Sequence, residues 1–426
     1  MAPLHQLSAS EIVASITRGA TSAEAVARAC LERIAEREPR VEAWQYLDPA
    51  QVLENARALD RKTSRGPLAG VPVGIKDIID TAQMPTEYGS TIFRGHRPRR
   101  DAACVGLLRK AGGIVMGKTV TTEFANFHPG KTRNPLDPAR TPGGSSSGSA
   151  AAVADGMVPV ALGTQTTASV IRPASYCGVF GYRPSYGDLR CNGVMEASAS
   201  LDTLGIFARS LDDIALCRDV LAGTVPRAIE KDARPPRIGF CRSHLWPKVE
   251  HGYQAQLEGA AQQLAQAGAP LRDVSLPADF DHIADVHLAI SSYEFARGFT
   301  WEIDNHWNEI SETLRNGRLK AGLTCSVERY REALGAAARL RKLIEPAFAD
   351  CDVLLAAAVT GEAPLGLQTT GDASMCYIWT TLHVPALTLP VFKGPNGMPI
   401  GLQVIAAPGA DRYLFAAADW IYRRLS

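Results

Sequence analysis

Gly70-Val71-Pro72-Val73-Gly74-Ile75-Lys76-Asp77 is a short apolar run bounded by glycine and closed by a lysine and an aspartate. Two further runs of this kind follow, at 114–116 and 158–162, with a helix candidate at 101–110 between the first two. Strand-sized segments alternating with helix-sized ones predict an α/β sheet covered by helices. Upstream, the first seventy residues read as helices: Thr21-Ser22-Ala23-Glu24 has the form of a capping box, and Val26, Cys30, Leu31 and Ile34 recur at helical spacing.

Downstream, a helix is expected from Ser149 through Val153 to Gly156, and a capped one from Ser210-Leu211-Asp212-Asp213 to near Gly223. Residues 225–236 are charged and carry prolines, which marks a surface connection. Arg237-Ile238-Gly239-Phe240 reads as a new strand, residues 250–350 as helical, and the sheet resumes at 352–355, 386–391 and 401–405. The chain divides into an N-terminal helical segment (1–69), a core (70–224), a variable helical region (225–350) and a return to the sheet (351–426), all within one domain.

Composition narrows the function. Lysine and arginine total 45 against 44 acidic residues, a formal net charge of +1, which lacks the basic footprint of a nucleic-acid binder or a polybasic membrane anchor. Nine cysteines occur without a C-x-x-C pair, so neither a disulfide framework nor a zinc site is suggested, and buried thiols in a reducing cytoplasm are expected. No signal peptide pattern opens the chain and no stretch of 18 apolar residues exists.

Lys76, the serine run in Gly143-Gly144-Ser145-Ser146-Ser147-Gly148 and a third serine at Ser169 are the parts needed to attack an amide carbonyl without histidine. Three other motifs compete. Gly112-Gly113-Ile114-Val115-Met116-Gly117-Lys118-Thr119 matches the phosphate-loop pattern, but a genuine loop follows its strand, whereas this one contains the strand and follows the helix. Gly144-Ser145-Ser146-Ser147-Gly148 fits a nucleophile elbow, which requires a strand just before it, and residues 134–142 carry three prolines. None of His244, His251, His282, His287, His306 and His383 stands in a distinctive setting for a triad. No lysine has a serine three positions before it, so a β-lactamase-type pair is absent and the lysine must come from a distant segment.

Pro142-Gly143-Gly144-Ser145-Ser146-Ser147-Gly148-Ser149-Ala150-Ala151-Ala152-Val153-Ala154 resembles the glycine- and serine-rich signature of the amidase signature family. The resemblance extends through Gly70 to Asp77, Ala161-Leu162-Gly163-Thr164, Ser169-Val170-Ile171-Arg172-Pro173-Ala174, Ser200-Leu201-Asp202-Thr203-Leu204-Gly205 and residues 397–405. It implies a single large α/β domain whose mixed central sheet carries helices on both faces. It also implies Ser169 as nucleophile, Ser145 as bridging residue after a cis peptide, Lys76 as base, and an acyl-enzyme that releases ammonia or an amine. The backbone N–H groups of Thr166, Thr167, Ala168 and Ser169 fall on the oxyanion hole, and no metal or cofactor is implied.

The family loop before the nucleophile reads T-x-T-G-G-S, whereas this chain has Thr164-Gln165-Thr166-Thr167-Ala168-Ser169. Glycine tolerates positive φ and β-branched threonine does not, so strain at Thr167 is expected, with activity retained but altered. Within the family the strings around Lys76, Ser145 and Ser169 look similar to the malonamidase branch, which acts on small amides bearing a carboxylate. There Arg172 would grip the carboxylate, with Ser146 beside it. Carbamate, anilide or ureido substrates are the alternatives, as is an amidase subunit of a glutamine-dependent amidotransferase. Trp301, Trp307, Tyr377 and Trp379 are candidates for the outer wall of the acyl pocket. The resemblance further suggests a cytoplasmic enzyme with a small-molecule amide or carbamate substrate, no nucleic-acid or membrane partner, and a homodimer as the common family arrangement.

Overall fold

The computed structural model describes residues 3–231 and 234–426. Met1 and Ala2, in the segment read for a leader, and Asp232 and Ala233, inside the 225–236 connection, lie outside the described residues. The strands are β1 (Trp44–Leu47), β2 (Pro72–Lys76), β3 (Ile114–Thr119), β4 (Val160–Gln165), β5 (Phe180–Arg183), β6 (Thr203–Ala208), β7 (Ile238–Cys241), β8 (Leu271–Val274), β9 (Val353–Ala357), β10 (Ala386–Lys393) and β11 (Pro399–Ile405). They form one sheet in the order β1-β3-β2-β4-β6-β5-β10-β11-β9-β7-β8. Parallel pairs at β3-β2-β4 and β9-β7-β8 flank an antiparallel middle, so the sheet is mixed, as expected.

β2, β3 and β4 are buried along their whole length, which explains their continuous apolar reading. The helix Ser147–Ala154 is built of serine, glycine, alanine and one valine, and every residue but the last is buried. Small side chains let its backbone come close: a Cβ on Gly148 would lie 2.3 Å from the Ala43 carbonyl oxygen and 2.4 Å from the Val120 nitrogen. This helix packs on β4 and β2 and against the helix Ile171–Cys177. Helix Asp411–Leu425 packs on both Leu211–Leu221 and His251–Gln266, and all three pack on the sheet.

Two strands arise where helix was expected. β1 pairs with β3 as a four-residue edge strand, and β8 pairs with β7 at the opposite edge. Leu271, Arg272 and Asp273 are exposed, so β8 carries no apolar period to read, and partnering across the sheet makes it a strand. The helix start at the Thr21 box shifts by one residue: Ser22 is the N-cap and accepts from Ala25 N–H. The expected helices near Ser149 and Ser210 form as Ser147–Ala154 and Leu211–Leu221. Residues 283–343 are helical apart from short turns and join earlier segments in two small cores, one around Phe124, Phe295 and Phe299 and one around Leu201, Ile290 and Ala337. Of the nine free cysteines, seven are buried, whereas Cys191 and Cys325 are half-buried.

Candidate active site

Three segments converge at the C-terminal ends of β2 and β4. Lys76 closes β2, fully buried, with Nζ 2.8 Å from Ser145 Oγ and 2.8 Å from Thr164 Oγ1 on β4. Among the described residues no acidic side chain forms an ion pair with it. Burial pulls its pKa from the ordinary lysine range down to about 7, against a weaker upward pull from Asp202. The contrast lies one strand away, where buried Lys118 bonds to the Ile79 carbonyl (2.7 Å) and Thr86 Oγ1 (2.6 Å), with the Asp77 carboxylate at 3.4 Å. Desolvation lowers the pKa of Lys118 while Asp77 supports its charge, so it is the cation of a pair. The phosphate-loop match is thereby excluded, because its residues are a helix end and the interior of β3.

The Gly144–Ser145 peptide is cis and Gly143 sits at φ +80°, where a Cβ would meet the Pro173 backbone at 2.9 Å. The remaining serines of the run stitch their helix to the sheet. Ser146 Oγ donates to the Thr164 carbonyl (3.2 Å) and accepts from Thr164 N–H (3.3 Å), and Ser149 Oγ donates to the Leu162 carbonyl at 2.8 Å. Arg172, also buried, donates from Nη1 to the Gly371 carbonyl (2.6 Å) and from Nη2 to the Gly144 carbonyl (2.7 Å) and Thr370 Oγ1 (2.9 Å). Its terminal nitrogens thus hold the peptide that precedes Ser145.

Ser169 lies just before the helix Ile171–Cys177, and its hydroxyl bonds to no other group among the described residues. The N–H groups of Thr166, Thr167, Ala168 and Ser169 likewise have no acceptor among the described residues, whereas those of Val170 and Ile171 both donate to Gln165 Oε1 (2.9 and 3.0 Å). Thr167 and Ala168 are absent from the residues with positive φ, so the strain expected at Thr167 does not arise. A loop that uses ordinary φ has no need of glycine.

Two participants were given no role in the sequence reading, although Asp202 lies in a segment that carries the resemblance. His287, grouped above with the undistinguished histidines, places Nε2 2.9 Å from Thr167 Oγ1 and Nδ1 3.1 Å from Thr381 Oγ1. Burial and the nearby Arg318 and Arg183 cations push its pKa down to about 3, so the ring is neutral. Asp202 accepts from Thr166 Oγ1 (2.5 Å) and from the N–H groups of Ala197 (2.7 Å) and Ser198 (2.9 Å); burial raises its pKa to about 6. Thr164 and Asp202 also line a cleft of about 450 Å³ formed with Tyr186, Arg190, Asn192 and Thr203. Of the expected wall aromatics, Trp379 is core, Trp301 is 54% exposed and rests near Phe93, and Tyr377 packs on the His287 ring. No cluster of metal-ligating side chains occurs among the described residues, nor any helix long and apolar enough to cross a membrane.

A buried lysine between two hydroxyls, a second serine just before a helix and a row of unspent N–H groups lie together on a mixed α/β sheet, the parts that a serine-dependent acyl transfer would need. The family model described as Amidase matches residues 25–415, and the chain belongs to the amidase family; its structural neighbours include hydrolases of carbon–nitrogen bonds other than peptide bonds. The glutamyl-tRNA(Gln) amidotransferase of Chloroflexus aurantiacus has a subunit that is 34% identical over 480 aligned positions, covering 100% of this chain and 98% of that one. A crystal structure described as an amidase superposes with a TM-score of 0.91 at 31% identity, covering 99% of this chain and 100% of the other. The peptide amidase of Stenotrophomonas maltophilia gives a TM-score of 0.85 at 29% identity, covering 99% and 98%.

Proposed function

We propose that the chain hydrolyses a small amide through an acyl-enzyme on Ser169, with Ser145 as proton bridge and Lys76 as base. The observation that carries this reading is Lys76 Nζ, buried without a carboxylate and 2.8 Å from Ser145 Oγ. A lysine held this way is partly neutral at neutral pH and accepts a proton. Ser169 Oγ turns toward Ser145 as it attacks the carbonyl carbon; its proton passes to Ser145, whose own proton passes to Lys76. The N–H groups of 166–169 receive the oxyanion. The C–N bond breaks as Ser145 returns a proton to the leaving nitrogen. Water then attacks the Ser169 ester, its proton passing through Ser145 to Lys76, and the acid leaves as that proton returns through Ser145 to Ser169 Oγ.

An acidic acyl group is the substrate class the charges favour. Arg172 spends its terminal nitrogens on Gly371, Gly144 and Thr370, so we assign it to holding the Ser145 loop. Arg318 is a further buried cation without an ion-pair partner among the described residues; it leaves a terminal nitrogen, Nη2, unbonded, whereas Arg172 and Arg183 leave only Nε. It donates to Asn126 Oδ1 at 2.9 Å, Thr122 Oγ1 donates to the Asn126 carbonyl, and Thr122 N–H donates to the Ser145 carbonyl at 3.3 Å. A buried guanidinium without a counter-ion is costly, and a substrate carboxylate would supply one.

The full-length identity to amidotransferase subunits favours a second reading, an ammonia-producing subunit that works with partners. A screen of primary amides, dicarboxylic monoamides, anilides, carbamates and ureido acids for ammonia or amine release, with Ser169→Ala beside it, separates the two. Turnover of a free amide by the isolated chain, lost in Ser169→Ala, supports the hydrolase. Glutamine hydrolysis that appears only with partner subunits supports the other role.

A further inference from the structure

The loop that carries the unspent N–H groups is held by side chains from elsewhere in the chain. Gln165 Oε1 takes the N–H groups of Val170 and Ile171, and its Nε2 donates to Thr380 Oγ1 at 3.2 Å. Thr380 Oγ1 donates in turn to the Thr167 carbonyl at 2.8 Å. These bonds close a ring around residues 165–171. Thr167 is gripped a second time by its hydroxyl, which meets His287 Nε2, while the far side of that imidazole is held by Thr381. Gln165, Thr380 and His287 are all buried, so loss of any member would leave a desolvated partner unsatisfied.

The geometry has a directional consequence. A trans peptide is planar, with its C=O and N–H on opposite edges. Fixing the Thr167 carbonyl against Thr380 therefore fixes the direction of the Ala168 N–H. Gln165 consumes the next two donors, Val170 and Ile171, and so sorts the N–H groups of the turn into those spent on structure and those left for a ligand.

We propose that Thr380, Gln165 and His287 are positioning residues for the oxyanion hole, fixing by side-chain hydrogen bonds the direction of the N–H groups that the loop leaves unspent. The inference rests on the reading that Ser169 attacks beside this loop.

The test uses a fluorophosphonate probe on the full chain, because labelling requires no knowledge of the substrate: the Ser169 Oγ–P bond forms, fluoride leaves, and the phosphoryl oxygen occupies the oxyanion hole. Thr380→Val is expected to lower the maximal labelling rate about ten-fold or more, in the range of a misplaced oxyanion donor, with the probe's KI within about two-fold of wild type. Thr380→Ser, which keeps the hydroxyl, restores the rate. Gln165→Met, which leaves the Thr380 hydroxyl in place, is the second variant and lowers the rate in the same way if Thr380→Val does not fold. A wild-type rate in Thr380→Val or in Gln165→Met, or a loss in Thr380→Val that Thr380→Ser does not repair, overturns the proposal. Absence of Ser169 labelling in the wild-type chain removes the proposed nucleophile, and this inference with it.

Discussion

Thr164 Oγ1 lies 2.8 Å from Lys76 Nζ, the same distance as Ser145 Oγ. A neutral amine between two hydroxyls can accept from one and donate to the other, so in the proposed relay Thr164 would orient the lysine while Ser145 delivers the proton.

The pH dependence follows from Lys76. Its pKa is held near 7, and only the neutral form accepts a proton, so activity rises with pH through about 7 and falls about ten-fold per unit well below it. A pH–rate profile of kcat/KM checks this; a flat profile from about pH 5 to about pH 9 would refute it.

Single replacement of Ser169, Ser145 or Lys76 by alanine is expected to lower kcat by roughly a thousand-fold or more, and the Lys76→Ala/Ser145→Ala double variant no further than its worse single. Members of one proton relay fail together, which kinetics of the double variant would show.

The variant Thr167→Gly/Ala168→Gly should lose activity instead of gaining it, with kcat down roughly ten-fold. It removes the hydroxyl held by His287 and adds backbone freedom to a loop that already uses ordinary φ. Ammonia release faster than wild type would show that threonine and alanine hamper the loop.

Arg172 and Arg318 are expected to separate. Arg172→Met strands the Gly144 and Gly371 carbonyls and should cost about 2–4 kcal/mol of stability, read as a lower Tm, with activity reduced for acidic and neutral amides alike. Arg318→Met should raise KM for amides bearing a carboxylate and spare neutral ones. Equal effects of Arg318→Met on both substrate classes would argue against the acidic acyl group.

Gly148→Ala is expected to destabilise by roughly 3 kcal/mol or prevent folding, because its Cβ would strike backbone atoms of Ala43 and Val120 that cannot rotate away. Thermal melting of the variant measures it.

The strands β2, β3, β4, β7, β9, β10 and β11, the helices beginning at Ser147 and Leu211 and the family were legible in the sequence because each depends on local pattern: an apolar run of strand length, a capping serine, a row of small residues. Lys76, Ser145 and Ser169 stood out for the same reason. β1 and β8 were missed because short edge strands take their identity from the neighbour they pair with, and β5 and β6, in the middle of the sheet, were not read as strands either. Arg172 was legible as a residue but not as a role: only the fold brings Gly371 and Thr370 to its guanidinium. His287 and Thr380 lie 120 and 213 positions from Thr167, so no local pattern connects them to the loop they hold. The sequence by itself determined the sheet's main strands, the amidase family and the lysine and serines at its centre. Tertiary structure alone decided that Lys76 is buried without a carboxylate while Lys118 has one, and that Thr167 adopts ordinary φ under bonds from distant side chains. Burial, charge pairing and backbone support are properties of what surrounds a residue in space, which its neighbours in the chain do not specify.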